Sequence, residues 1–218
     1  MKIKGILFDF DDTLGDRETY THRTYSGKVD ELLPEADPWY REMIIQQCLI
    51  YEQHGDVPKT YVRDMILQRF GIDLGDDFPQ YWREHQPLNT VLYEDAIPTI
   101  LELKRRGYKI GILTNGEAKS QRYKVESTGL LDLVDALTIS GETDTRKPEP
   151  EIFYLTAEKL ELHPEECAFV GDMFCNDIYG AHRAGMTPVW IWPHSEHRYA
   201  DVHVTQIHHL HDLLDLFH

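Results

Sequence analysis

The chain has 218 residues, which is enough for one core domain or for a core domain with a smaller insertion. Its composition, 41% hydrophobic and 28% charged, is that of a soluble globular protein, and no apolar run approaches the roughly 20 residues that a membrane span needs. The formal net charge of −16 argues against nucleic acid as a partner, because non-specific affinity for a polyanion rests on Lys and Arg. The first residues lack the pattern of a signal peptide, so we expect a cytoplasmic protein without a membrane partner.

The first predicted element is a buried strand over 3–9, and it ends in acidic residues. Asp9 and Asp11 are two positions apart and project to the same side of an extended chain. Paired carboxylates at such a place bind a hard cation or divide nucleophilic and acid–base roles. An EF-hand loop does not fit, because the sixth position from Asp9 is Leu14 rather than glycine. An ordinary solvated turn remains open for this stretch by itself.

The next part of the chain has a different character. Between residues 17 and 89 the apolar residues recur at helical spacing, as in 39–55 and 60–71, with no convincing strand. We predict an all-helical domain over 17–89, inserted into a core domain formed by 1–16 and 90–218. An insertion that leaves the carboxyl end of a strand is placed to cover a ligand crevice. A helical unit that only stabilises or dimerises the protein is the alternative.

From residue 95 onward, short β-rich runs alternate with helical segments. This alternation implies right-handed crossovers and a parallel sheet covered on both faces. The predicted fold class is therefore α/β, a doubly wound parallel sheet with a helical insertion. The predicted strands are 108–114, 136–140, 167–171 and 188–192, and the predicted helices are 95–107, 117–128, 149–161, 177–185 and 206–217.

Three further segments deliver polar side chains to the same edge of this sheet. Thr114 and Asn115 end a strand, and their hydroxyl, amide and backbone N–H groups suit a phosphate oxygen. Lys147 precedes a proline, which keeps it out of a helical conformation. Asp172 follows a strand directly, and Asp177 begins a helix, where it can also act as an N-cap. Each feature alone fits a turn, a loop or a cap, but independent turns rarely assemble such a set in order.

The four segments together resemble a known family. Asp9–Thr13 reads DxDxT, Thr114–Asn115 follows an apolar strand, Lys147 stands before proline, and Gly171–Asp177 reads GDxxxxD. In this order they resemble the four motifs of the haloacid dehalogenase (HAD)-like hydrolase superfamily. The resemblance covers the core domain, and the insertion looks like the helical cap of subclass I. It implies a Rossmann-like core and an enzyme.

The resemblance also implies the roles of the residues. Asp9 is expected to be a nucleophile that forms an aspartyl-phosphate, and Asp11 to protonate the leaving group and then deprotonate the attacking water. Thr13 is expected to support the loop, and Asp12 to carry no chemistry. The transferring phosphate oxygens would be held by Thr114, Asn115 and Lys147.

Magnesium is the cofactor that the resemblance implies. Mg²⁺ would be bound by the carboxylate of Asp9, the main-chain carbonyl of Asp11 and Asp172, with Asp177 orienting this set rather than binding the ion directly.

The predicted function is hydrolysis of a phosphomonoester of a small metabolite, by a monomer or a homodimer. Dehalogenases of the superfamily attack carbon and lack the second aspartate, so Asp11 points to phosphoryl transfer. A phosphomutase remains open, because the difference lies in the cap. A non-catalytic phospho-acceptor or sensor is the alternative from another class.

The histidines are unevenly distributed. Seven of the twelve lie between residues 194 and 218, and they include His208, His209 and His211. A transition-metal site there competes with a solvated helix face, which the helical pattern of 206–217 favours. We therefore assign these histidines no function from the sequence.

Overall fold

The computed structural model describes residues 2–192 and 201–218. The chain divides into two compact units, one formed by Met1–Asp16 with Leu92–His218 and the other by Arg17–Val91. Among the described residues, no helix combines the length and the apolar character that crossing a membrane requires.

The unit Arg17–Val91 is helical, and none of its residues, all of which the structure describes, forms a strand. Its apolar core includes Tyr25, whose ring lies 4.7 Å from that of Trp82. The second helix begins at Pro38, and the Asp37 carboxylate accepts two N–H groups of its first turn. The helices of this unit are α1 (Arg17–Leu32), α2 (Pro38–Glu52), α3 (Lys59–Phe70) and α4 (Phe78–His85).

The other unit is built on a six-stranded sheet with the order β3-β2-β1-β4-β5-β6. All neighbouring strands are parallel. The chain winds outward from β1 in one direction and then in the other, so the ends of β1 and β4 flank the point where ligands bind in such sheets. The predicted doubly wound parallel sheet is confirmed. The strands are β1 (Gly5–Phe8), β2 (Lys109–Thr114), β3 (Ala136–Ile139), β4 (Cys167–Gly171), β5 (Thr187–Ile191) and β6 (Thr205–Ile207).

Helices cover this sheet on both faces. Alternate residues of β1 enter separate apolar clusters, with Ile6 and Phe8 in one and Leu7 in the other. Burial on both faces explains why β1 and β4 are continuous apolar runs rather than alternating ones. The helices are α5 (Ala96–Arg105), α6 (Ala118–Ser127), α7 (Pro150–Lys159), α8 (Tyr179–Arg183) and α9 (Leu213–Leu216). The predicted helix over 177–185 begins instead as a π-helical turn at Phe174–Ile178.

The long terminal helix predicted over 206–217 is wrong. Its first residues form β6, which pairs with the edge strand β5, and only the short helix α9 follows. The Asp212 carboxylate accepts the backbone N–H groups of His208 and His209 at 3.0 and 2.9 Å, so these groups do not continue a helix. The apolar residues whose spacing suggested a helix are buried against the sheet instead, and Ile207 is 4% exposed.

Candidate active site

Asp9 directly follows β1 and is buried at the carboxyl end of the sheet. Its backbone N–H donates to the carbonyl of Val170 at 2.9 Å, which continues the pairing of β1 with β4. The chain then turns tightly, since the N–H groups of Leu14 and Gly15 both donate to the carbonyl of Phe10. This turn places the first aspartate at the switch point of the sheet.

The same turn accommodates the other residues of the first motif. Asp12 has a φ of 57°, a left-handed conformation that Asp adopts more readily than most residues. Thr13 is fully buried and its backbone N–H faces the Phe10 carbonyl at 3.4 Å. Asp12 therefore shapes the turn, and Thr13 lies within it.

Lys147 is the buried cation of the site. Its Nζ lies 2.6 Å from Asp9 Oδ1 and 2.6 Å from Asp177 Oδ1. Asp177 Oδ2 accepts the backbone N–H of Met173 at 2.9 Å, so both oxygens of this carboxylate are engaged. A Cβ at Gly171 would lie 2.5 Å from Asp177, which is why this position has no side chain. Lys147 and Asp177 thus form a buried ion pair in contact with Asp9.

The Asn115 side chain binds the main chain of Lys147. Its Oδ1 accepts the backbone N–H of Lys147 at 3.0 Å, and its Nδ2 donates to the Lys147 carbonyl at 3.0 Å. The two bonds fasten the Lys147 loop to the end of β2. In this structure the Asn115 side chain holds the main chain of Lys147 at the site.

Two residues that sequence reasoning missed, Gln121 and Lys124 of α6, contact Asp11. Lys124 Nζ lies 2.8 and 3.1 Å from the two oxygens of Asp11, and Gln121 Nε2 lies 3.0 Å from Asp11 Oδ2. Gln121 Nε2 also lies 2.6 Å from the hydroxyl of Thr114. Both residues are 3% exposed. We call Gln121 and Lys124 the α6 pair.

A sequence signal for the α6 pair existed. Residues three apart share one face of a helix, so a Gln and a Lys at this spacing on the helix after β2 face the same direction. Long polar side chains are usually solvent-exposed, however, and only the packing of α6 shows that these two point inward.

The carboxylates of Asp9, Asp172 and Asp177 offer oxygen atoms that all lie within 4.8 Å of one another. Trp190 Nε1 donates to the main-chain carbonyl of Asp172 at 2.8 Å and so fixes its backbone. A hard oxygen donor set of this kind fits Mg²⁺. Because Asp177 already binds Lys147 and Met173, Asp9 and Asp172 are the carboxylates that suit direct coordination.

The charges of the site are not balanced by protein groups alone. Burial, opposed by Lys147, raises the pKa of Asp9 to about 7. Burial and the neighbouring carboxylates raise the pKa of Asp172 well above its ordinary value. Burial lowers the pKa of Lys147, but Asp177 and Asp9 raise it more, and the net shift is upward. The ammonium of Lys147 therefore faces the three carboxylates of Asp9, Asp172 and Asp177, and a divalent cation would offset the excess.

Comparisons with known proteins identify the family of the chain. The family model described as haloacid dehalogenase-like hydrolase matches residues 3–185. A glyceraldehyde 3-phosphate phosphatase of Methanopyrus kandleri is 31% identical over 87% of this chain and 84% of its own length. An N-acylneuraminate-9-phosphatase of Mus musculus is 35% identical, over 87% and 83%. The crystal structure of a HAD phosphatase from Thermococcus onnurineus superposes with a TM-score of 0.66 at 31% identity, covering 98% of this chain and 97% of that one.

The chain belongs to the haloacid dehalogenase-like hydrolase family. The resemblance found in the four motifs is confirmed, and so is the prediction of a phosphatase, that is, a phosphoric monoester hydrolase.

Proposed function

We propose that this enzyme hydrolyses phosphomonoesters of small metabolites in two steps through an aspartyl-phosphate at Asp9. The observation that carries the proposal is the buried Asp9 carboxylate at the switch point of the sheet, 2.6 Å from Lys147 and grouped with Asp172. A nucleophile, a fixed cation and a metal-binding carboxylate at one point are the parts that phosphoryl transfer needs.

In the first step, an oxygen of Asp9 forms a bond to phosphorus while the bond from phosphorus to the leaving alkoxide breaks. Asp11 gives its proton to that alkoxide. In the second step, Asp11 takes a proton from water, the water oxygen bonds to phosphorus, and the bond between Asp9 and phosphorus breaks. Phosphate is released and both aspartates return to their starting states.

The surrounding residues hold the reacting groups in place. Lys147 binds one oxygen of Asp9 and can stabilise the negative charge on the transferring phosphoryl group. The hydroxyl of Thr114 and the backbone N–H groups after β2 complete the proposed phosphate site. Mg²⁺, held by Asp9, Asp172 and the Asp11 carbonyl, would neutralise phosphate charge when bound.

The α6 pair has a proposed positioning role. In the structure, Gln121 and Lys124 hold the Asp11 carboxylate beside α6. We expect Lys124→Met to lower kcat by roughly 10- to 100-fold, because a misplaced acid–base group loses much of its effect. KM should change less than kcat, since Lys124 contacts Asp11 rather than the phosphate site.

The matched control is Lys119→Met, which removes an exposed lysine of the same helix and should leave kcat unchanged. Lys124→Arg should recover part of the lost rate by restoring the charge. An unchanged kcat in Lys124→Met would show that the ion pair with Asp11 has no part in turnover.

The substrate class is proposed from the relatives. Similar proteins are phosphatases of glyceraldehyde 3-phosphate, of N-acylneuraminate 9-phosphate and of phosphoserine, all small phosphorylated molecules. We propose that the helical insertion, predicted at 17–89, is a cap that selects among such substrates. We also propose that the enzyme is cytoplasmic, acts as a monomer or homodimer and needs neither nucleic acid nor a membrane.

The test is phosphate release from a panel of these three metabolites and from p-nitrophenyl phosphate. We expect turnover with Mg²⁺, loss of turnover in excess EDTA, and recovery when Mg²⁺ is restored. Following the panel by ³¹P NMR also detects any phosphate that moves to a second position on the same molecule. Turnover that EDTA leaves unchanged would contradict the proposed magnesium role, and the absence of any turnover across the panel would contradict the proposed substrate class.

A further inference from the structure

A second group of side chains of the types that bind metals lies in the core unit and shares no residue with the proposed catalytic site. It consists of Asp95, His209 and His211. We propose that these three residues form a binding site for a transition-metal ion of the zinc class.

The backbone brings the three residues together. Asp95 stands at the N-cap position of α5, yet its carboxylate accepts no hydrogen bond from that helix. Its Oδ2 instead accepts the backbone N–H of His211 at 3.1 Å and lies 3.0 Å from His211 Nδ1. The Asp212 carboxylate fixes the preceding turn by accepting the N–H of His209. Hydrogen bonds from main-chain N–H groups to the two carboxylates thus hold Asp95 beside residues more than 110 positions later.

The side-chain geometry is close to that of a metal site. One ligand atom from each of Asp95, His209 and His211 lies within 4.8 Å of the other two. The two imidazole rings are nearly parallel, at 7°, with centroids 5.0 Å apart. Ligand bonds of about 2.0–2.2 Å place the donors of a tetrahedral zinc ion roughly 3.4 Å apart, so modest side-chain rotations suffice. The ion would take the place of the contact between His211 Nδ1 and Asp95 Oδ2.

The donor set favours one class of ion. Two imidazoles and one carboxylate suit Zn²⁺, Co²⁺ or Ni²⁺, whereas Mg²⁺ prefers oxygen ligands only. Three protein ligands leave a fourth position for water or an added ligand. The site therefore differs in chemistry from the carboxylate cluster at Asp9.

The surroundings also attract a cation. The same surface cleft is lined by Asp16 and Glu94, and the chain as a whole has a net charge of −16. Acidic groups lining a cleft raise the local concentration of cations. The helix that the sequence favoured over these histidines is not formed here, because residues 208–211 lie between β6 and α9, and His211 contacts Asp95.

A bound ion would join the start of α5 to the C-terminal segment. The two stretches are already in contact, and a shared ion adds bonds that exist only in the folded state. We expect Zn²⁺ to raise the melting temperature of the protein without being needed for phosphoryl transfer.

The experiment is a calorimetric titration of the Mg²⁺-saturated enzyme with Zn²⁺, repeated with Co²⁺ while the visible absorption is recorded. We expect one equivalent to bind, with a Co²⁺ spectrum typical of tetrahedral nitrogen and oxygen ligands. His209→Ala and His211→Ala should each weaken binding by at least about 10-fold. Asp95→Asn should weaken it as well. The matched control is His208→Ala, which removes a neighbouring histidine outside the three and should bind normally.

Two results would overturn the proposal. One is the absence of saturable Zn²⁺ binding by the wild-type enzyme. The other is unchanged binding by the double variant His209→Ala/His211→Ala. That result would assign the ion to other groups, such as His194 and His197, which lie outside the described residues. Circular dichroism shows whether the double variant is folded. If it is not, the test rests on the two single variants, since His209 and His211 are exposed.

Discussion

Asp9→Asn is expected to lower kcat by a factor of at least about 10⁴, because an amide cannot form the covalent bond to phosphorus. The variant also loses the charge of a proposed Mg²⁺ ligand. Phosphate release from p-nitrophenyl phosphate at saturating Mg²⁺ measures the effect. Acid quenching after mixing with a labelled phosphate ester should trap phosphoprotein in the wild type and none in Asp9→Asn.

Asp12→Asn is the matched control, since it makes the same chemical change three residues away. Asparagine adopts the left-handed conformation that Asp12 has at φ 57°, so the turn should keep its shape. We expect its kcat to fall far less than that of Asp9→Asn, since Asp12 is not proposed to bond to phosphorus and acts only through its charge near Asp172. If Asp9→Asn retained a similar rate, Asp9 would not be the nucleophile.

Lys147→Met has the second large expected effect, and it acts on both rate and stability. It leaves the buried carboxylates of Asp9 and Asp177 without their shared cation. Removing one partner of a buried ion pair costs about 3–5 kcal/mol of unfolding free energy. Loss of a fixed positive charge at the phosphoryl group should lower kcat by roughly 10²–10³-fold. Urea unfolding and steady-state kinetics on the same preparation measure the two effects.

Lys4→Met is the control for this variant. Lys4 pairs with Glu166 at 2.6 Å, but its side chain is 58% exposed, and such surface pairs contribute about 0–1 kcal/mol. Mg²⁺ should recover part of the stability that Lys147→Met loses, because the ion offsets the same carboxylates. Equal stability of Lys147→Met and the wild type would show that the carboxylates do not depend on the lysine.

The core of the site was predictable because it follows from strand ends. Asp9, Thr114 and Asp172 each come directly after an apolar run, and parallel strands bring such positions to one edge of the sheet. The local sequence alone identifies these positions. The fold class was predictable for the same reason, since the alternation of strands and helices is a local pattern.

The partners of the site residues were not predictable. Lys124 and Gln121 lie on a polar helix, and nothing in their spacing distinguishes contact with Asp11 from exposure to solvent. Asn115 carried the right chemistry for a phosphate, yet its amide binds the main chain of Lys147, 32 positions later. Both outcomes depend on contacts between segments that are distant in sequence.

The C-terminal segment shows most clearly which features follow from the local sequence and which from the tertiary structure. By itself the sequence identified Asp9, Thr114 and Asp172 as polar residues at the ends of apolar strands, because each is a local pattern. Only the structure shows that Lys147 is buried between Asp9 and Asp177. Only the tertiary structure decided that residues 205–207 pair with β5 and that His211 faces Asp95. Apolar spacing specifies which residues are buried, but the partner against which they are buried is fixed by the free edge of the sheet.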